Sequence, residues 1–289
     1  MPKLKKVDLE KGRRKMRTKQ HANIVVHIVL LLGISLVIFP FLWMVLTSFK
    51  GNGESVQIPP TFWPKEFKVV AYETIFESLP FVKIFLNTLI STAVTTICQL
   101  IFCAMAGYAF ARIKFPGRNF TFMLLLSVLM IPGQIFIIPQ YLIVQKLGLL
   151  DSIPALFLPN LFSVFGTFLL RQFYLSLPKE LEEAAILDGC SQFGIFLYVM
   201  TPLVKPGLVA LAIFVIKFAW NDFMWPLIVN TSPDKMTLGP GLSTLQSQFS
   251  TQYPMQMAGA VLAVIPLIIV FAIFQKQFIE GVAQSGIKQ

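Results

Sequence analysis

Long stretches without a charged side chain alternate along this chain with short polar connections. Ile24 to Leu46, Ile84 to Ala111, Asn119 to Gln145 and Ser152 to Leu170 contain no Asp, Glu, Lys or Arg. An uncharged tract from Met236 to Gln275 holds a further apolar run from about Met257 to Phe274. A bilayer core offers no water to backbone polar groups, so a crossing segment must bond internally, as a helix of roughly 20 residues. Five spans follow. A sixth, Pro206 to Asn230, is apolar but contains Lys217 and Asp222, so it crosses only if protein or a water-filled cavity accommodates those charges. The pattern predicts an all-α, polytopic membrane protein with six transmembrane helices.

Charge sets the orientation. Lys and Arg number nine in the first 20 residues, three at Arg112, Lys114 and Arg118, three between Arg171 and Lys205, and two at Lys276 and Lys288. The other side of the membrane receives six, so the positive-inside rule puts both termini in the cytoplasm. The net charge of +10 is therefore an orientation signal with lipid headgroup contact, not a nucleic-acid footprint. A first span of about 23 residues without a small-residue cleavage site is too long for a signal peptide's apolar region.

Composition agrees. Apolar residues make up 55% and charged residues 13% of 289, with a mean hydropathy of +0.71, against about 25% charged in a soluble domain. Cys98, Cys103 and Cys190 read as packing residues, and His21 and His27 are the only imidazoles. No metalloprotease, phosphate-loop or nucleophile-elbow pattern occurs, so nothing points to an enzyme that hydrolyses ATP itself.

The segment Arg171 to Lys205 breaks the pattern. It spans 35 residues on the cytoplasmic side yet carries four of the chain's fourteen acids, Glu180, Glu182, Glu183 and Asp188. Pro178 suits a first helical turn, where the acids offset the helix dipole. Gly189 falls where a left-handed cap would end that helix, Ser191 can cap a second one, and Pro202 and Pro206 are expected to stop it. A bent helical pair results, with Ala184 and Ala185 as a low ridge for another protein's groove. Leu181, Leu187, Phe193 and Phe196 are expected to anchor it to the spans. A lipid-bound connector would carry Lys and Arg on its polar face, so the acids indicate a protein docking surface.

Glu183-Ala-Ala-Ile-Leu-Asp188-Gly189, followed by Phe196, Pro202 and Pro206, resembles the EAA loop of ABC importer permeases, in the version of the maltose-type carbohydrate importers. AGYAFARIKFPGR at 106 to 118, MIPGQIFIIPQYLIVQKLGLLDS at 130 to 152, FLLRQFYLSLPKELEEAA at 168 to 185, WNDFMWPLIV at 220 to 229 and FQKQFIEGVAQSGIK at 274 to 288 are similar to the same subgroup. The resemblance implies a permease subunit in the inner or plasma membrane of a prokaryote. It implies three kinds of partner besides membrane lipid: a second homologous permease, a cytoplasmic ABC ATPase dimer that binds the ATP and Mg, and an extracytoplasmic solute-binding protein. No cofactor is implied for this chain, and no nucleic acid. Glu183, Ala184, Ala185, Asp188 and Gly189 become the expected ATPase-coupling residues. The implied organisation is a basic cytoplasmic segment at 1–22, a first helix with an external loop at 23–83, a permease core at 84–280 with its coupling loop at 176–206, and a cytoplasmic tail at 281–289.

Other features leave alternatives open. Lys217 departs from the family's pattern, which has an apolar or small residue there, and lies about 16 Å up a helix from Pro206 at 1.5 Å per residue. It meets either a polar or anionic solute or an acid of the second permease. Lys217, Trp220, Asn221 and Asp222 are the candidate translocation-path residues. Trp220 and its aromatic neighbours either stack on sugar rings or anchor at the membrane interface. Pro132 and Pro139 are expected to kink the third span. The external segment Thr231 to Met255 either contacts the binding protein, through a Gly239-Pro240-Gly241 turn with Gln246 and Gln248, or caps the outer mouth as a partly helical cover. An ion-coupled secondary transporter is the rival function, but it calls for buried mid-membrane carboxylates, and Asp222 alone comes near.

Overall fold

The computed structural model describes residues 26–246 and 252–286, with side chains to residue 275. The basic segment 1–22, Gln248 and the last three residues lie outside the described residues. Every regular element among the described residues is helical. The chain divides into two compact units, residues 1–72 with 252–261 and residues 73–251 with 262–289.

The first unit contains α1 (Val26–Ser48), whose apolar side chains are mostly exposed, as lipid contact requires. A one-turn helix α2 (Asn52–Ser55) follows. The Lys50 ammonium is buried here, but it lies 4.6 Å from the Trp43 ring centroid and donates to the Thr61 carbonyl. A buried cation is tolerated because both its charge and its N–H groups are answered. Glu54 gathers the loop by accepting from the Thr61 hydroxyl and the Lys65 amide at 2.8 and 2.9 Å. α3 (Val70–Ser78) comes next in the chain.

The second unit is built on α4 (Phe81–Arg112), 32 residues long. α5 (Arg118–Ser127) continues through a tighter turn to Met130, and a 3-10 turn from Gly133 leads into α6 (Ile137–Lys146). These halves bend by 99°, so the expected single span 119–145 is a broken one. The break sits at Pro132: Ile131 is forced into extended backbone (φ −95°, ψ 126°) because a residue before proline is excluded from the helical region. Pro139 falls in the first turn of α6, where no amide is missed.

α7 (Ile153–Phe157), extended by a 3-10 turn to Asn160, and α8 (Val164–Ser176) form the fourth span with a 48° bend. The Ser163 hydroxyl restarts the helix by accepting from the Gly166 amide at 3.1 Å. α4 packs most extensively on α8 and on the helix Lys205–Trp220. Gly107 permits the first of these contacts, since a Cβ there would lie 3.0 Å from the Arg171 amide nitrogen. Small residues at crossings let helix backbones approach inside a bilayer. Cys103, Tyr108, Leu170, Tyr174, Met200 and Leu211 fill the resulting core.

α9 (Glu180–Leu187) precedes α10 (Gln192–Leu203), which joins α11 (Lys205–Trp220) at a 77° bend. Pro202 does not stop α10: a π-helical segment at Ile195–Met200 widens the turn upstream, where the proline ring would otherwise meet the Tyr198 carbonyl. Pro206 opens α11 and does not end its predecessor. The fifth span, expected as one helix from Pro206 to Asn230, is interrupted: α11 ends at Trp220, and α12 (Met224–Val229) is a separate piece. Gly239-Pro240-Gly241 is not a tight turn but part of α13 (Leu238–Ser243). α14 (Tyr253–Gly286) carries the last apolar span. Among the described residues, three helices are long and apolar enough to cross a membrane, or up to six crossings when each bent pair counts as one.

Candidate functional site

The acidic elbow is assembled by local backbone chemistry. Glu180, Glu182 and Glu183 occupy the first turn of α9, where negative charge offsets the exposed amides. At its other end the Gly189 amide bonds the Ile186 carbonyl and the Cys190 amide bonds the Ala185 carbonyl, both at 3.0 Å. This reciprocal pair requires the left-handed conformation that Gly189 adopts, φ +78°. The Ser191 hydroxyl then caps α10 by accepting from the Gly194 amide at 3.1 Å.

Tertiary contacts decide which way the elbow faces. Tyr108 on α4 donates its hydroxyl to Glu182 at 2.9 Å, and Arg112 lies 3.7 Å from the other Glu182 oxygen. Arg112 also donates to the Tyr174 and Leu177 carbonyls at 2.6 and 2.5 Å, tying the end of α8 to the same point. The Phe196 ring packs 5.2 Å from Tyr108. Consequently Ala185 is buried against the core, whereas Glu183, Ala184, Asp188 and Gly189 are exposed. Three of the four expected anchors are exposed, Leu181 at 38%, Leu187 at 88% and Phe193 at 64%, and only Phe196 is buried. Leu187 turns outward because Glu182 and Ala185 take the inward face of α9, and residues two apart on a helix cannot share a face. Ala185 is thus part of the elbow's attachment, and the outward surface is acidic and apolar at once.

A second feature is a cleft of about 1040 Å³. Thr95 and Gln99 line it from α4, Asn160 and Ser163 from the junction of α7 and α8, and Lys217, Asn221 and Asp222 from the end of α11 and the segment after it. The Gln99 side chain donates to the Asn160 carbonyl at 2.6 Å, crosslinking two walls. Asn221 closes α11 by donating its side-chain amide to the Lys217 carbonyl at 2.8 Å. Trp220 is absent from the lining: it is buried, donates Nε1 to the Ala263 carbonyl at 3.0 Å, and meets Phe85 edge to face at 5.8 Å. It therefore serves as an anchor between helices, and three of the four candidate path residues share the cleft.

The segment after α12 is strapped to its neighbours. Asp151, itself at φ +53°, accepts from the Thr231 and Ser232 amides at 3.0 and 2.9 Å and from the Ser232 hydroxyl at 2.5 Å, with Lys235 at 3.3 Å. These donors, the Ser232 hydroxyl first, hold its carboxyl well below the usual carboxylate range. Asn87 donates to the Asp234 and Met236 carbonyls, both at 2.9 Å, and Thr88 accepts from the Leu238 amide at 2.8 Å. Gly241 is buried with a Cβ position only 2.7 Å from Ile84, and Gly239 is partly covered by Phe223. Gln246 alone of the described candidates in this segment presents an exposed side chain. Sequence reading could not find Glu182, Tyr108 and Arg112 as a set, because its members lie up to 74 residues apart.

Among the described residues, helices sufficient for up to six crossings, a polar cleft in the second unit and an exposed acidic elbow are the features of a membrane-embedded transporter subunit. Residues 100–284 match the family described as binding-protein-dependent transport system inner membrane component, and the chain belongs to that family. It is 38% identical over 254 residues to the arabinooligosaccharides transport system permease protein AraQ of Halalkalibacterium halodurans, covering 87% of this chain and 91% of the relative. It is 33% identical over 263 residues to the diacetylchitobiose uptake system permease protein NgcG of Streptomyces coelicolor, covering 90% and 87%. Its fold matches a chain in the crystal structure of a bacterial ABC transporter involved in the import of the acidic polysaccharide alginate, with a TM-score of 0.80, 23% identity, and coverage of 91% and 98%. The chain is thus a multi-pass inner-membrane permease of a transport system that works with an ATPase and a binding protein. The ion-coupled alternative is not favoured.

Proposed function

We propose that this permease imports a sugar or oligosaccharide, pairing with a second homologous permease to form the path and driven by a cytoplasmic ATPase dimer. The observation that carries the coupling role is the elbow, a rigidly attached helix pair whose outward face joins Glu183 and Asp188 to exposed Leu187 and Phe193. Acidic and apolar groups together suit a protein groove better than an anionic headgroup layer. In this reading Glu183, Ala184, Asp188 and Gly189 meet the ATPase, Ala185 seats the helix from behind, and both termini are cytoplasmic. The chain hydrolyses nothing; ATP and Mg belong to the ATPase. The saccharide cargo is supported by the relatives, one named for arabinooligosaccharides and another for diacetylchitobiose. The external segment around Gln246 is the contact for the solute-binding protein.

Reconstitution of the complete complex with its binding protein tests this. Uptake of labelled saccharides from a panel should require ATP inside the vesicles and survive ionophores. Uptake that persists without ATP and collapses with the ion gradient overturns it in favour of an ion-coupled carrier.

A further inference from the structure

The cleft contains two opposite charges that are not each other's partners. Asp222 accepts from the backbone N–H groups of Trp225 and Phe223 that follow it. Lys217 has no such answer: it is exposed, lines the cleft, and forms no ion pair among the described residues. The Asn221 side chain donates its amide to the Lys217 carbonyl at 2.8 Å, and no hydrogen bond to the Lys217 ammonium is found among the described residues. An ammonium within a membrane span needs a counter-charge or water, and such residues mark solute pathways or partner contacts. The recess of about 1040 Å³ is at the upper end of the range for small-molecule sites.

We infer that this cleft takes a solute carrying a carboxylate, with Lys217 as its counter-charge, so that the cargo is an acidic saccharide; this rests on the carbohydrate-import reading above. The other walls fit such a molecule. Phe214 and Phe218 offer ring faces to sugar C–H surfaces, and Thr95 and Asn221 offer polar groups to hydroxyls. A carboxylate of the second permease is the rival counter-charge. Lys217 also borders a second groove, against Leu267, Val270 and Phe274 of α14, so the variants below separate the two.

The experiment uses the reconstituted complex with its binding protein and a panel of uronate oligosaccharides, each matched to its carboxyl-reduced neutral form. Wild type should take up at least one uronate in preference to its neutral form. Lys217→Met should lower uronate uptake by about tenfold or more, the loss expected for one charge-assisted contact, with less than about a twofold change for any neutral form carried. Lys217→Arg should restore the preference. Neutral saccharides carried and no uronate sinks the inference while leaving carbohydrate import standing. An unchanged uronate-to-neutral ratio in Lys217→Met sinks it too, as does dissociation of the two permeases in that variant, which assigns Lys217 to the partner contact. Uptake of neither form by wild type removes the carbohydrate reading itself, and the inference with it.

Discussion

The Arg112 guanidinium stands 3.7 Å from a Glu182 oxygen, with the two side chains 5% and 16% exposed, so a largely buried ion pair joins the end of α4 to the first turn of the elbow. Tyr108 completes the contact at 2.9 Å. Glu182→Ala removes both interactions and leaves the Arg112 charge with only the Tyr174 and Leu177 carbonyls, whereas Glu182→Gln keeps an acceptor for Tyr108. We expect Glu182→Ala to destabilise the complex by about 1.5–3 kcal/mol, the range for hydrogen bonds to charged groups, and Glu182→Gln by less. Thermal inactivation of the purified complex measures this. Equal losses in the two variants would assign nothing to the Tyr108 bond.

Gly189 is surrounded by open space, with no atom within 4 Å of the point where a Cβ would stand, so any penalty for a side chain there comes from its φ of +78°. Replacement by Val should cost about 1–2 kcal/mol locally and reduce coupled transport, and Asn, which tolerates this conformation better, should retain more. Uptake at matched expression ranks the variants. Equal activity of Val and Gly would mean that the elbow angle does not matter.

Asp151 makes stability depend on pH. Its carboxyl is held below the usual range in the folded chain, so its contribution is complete above the unfolded value near 4 and disappears as pH falls below that toward the folded value. Asp151→Asn keeps the left-handed backbone but loses the charge. The unfolding midpoint of wild type should drop between about pH 4 and lower values more steeply than that of the variant. Parallel slopes would show that the Thr231–Lys235 strap does not depend on this charge.

Gly107 sits where α4 and α8 approach closely, a Cβ lying 3.0 Å from the Arg171 nitrogen and 3.1 Å from Leu170 Cβ. Backbone cannot step aside as a flexible side chain can. Gly107→Val should destabilise the complex by about 1–3 kcal/mol through overpacking, seen as reduced yield and lower thermal inactivation temperature. Wild-type behaviour would mean the two helices separate freely.

Periodicity and charge alone determined the membrane class, the approximate spans and the local signals of the elbow, because exclusion of water, helix capping and the restriction before proline act over a few residues. Gly189 and Ser191 are legible for that reason, and the helix ends fall at them, whereas Pro178 lies just ahead of Lys179, the cap of α9, and not in its first turn. Tertiary structure alone decided that Ala185 and Glu182 face inward, that Leu187 and Phe193 face out, and that Trp220 anchors α11 while its neighbours line a cleft. It also decided the end of α11 at Trp220 and the passage of α10 through Pro202. These outcomes depend on which distant helix occupies each face: Tyr108 and Arg112 claim Glu182 from more than sixty residues away, and no local pattern in α9 records that competition.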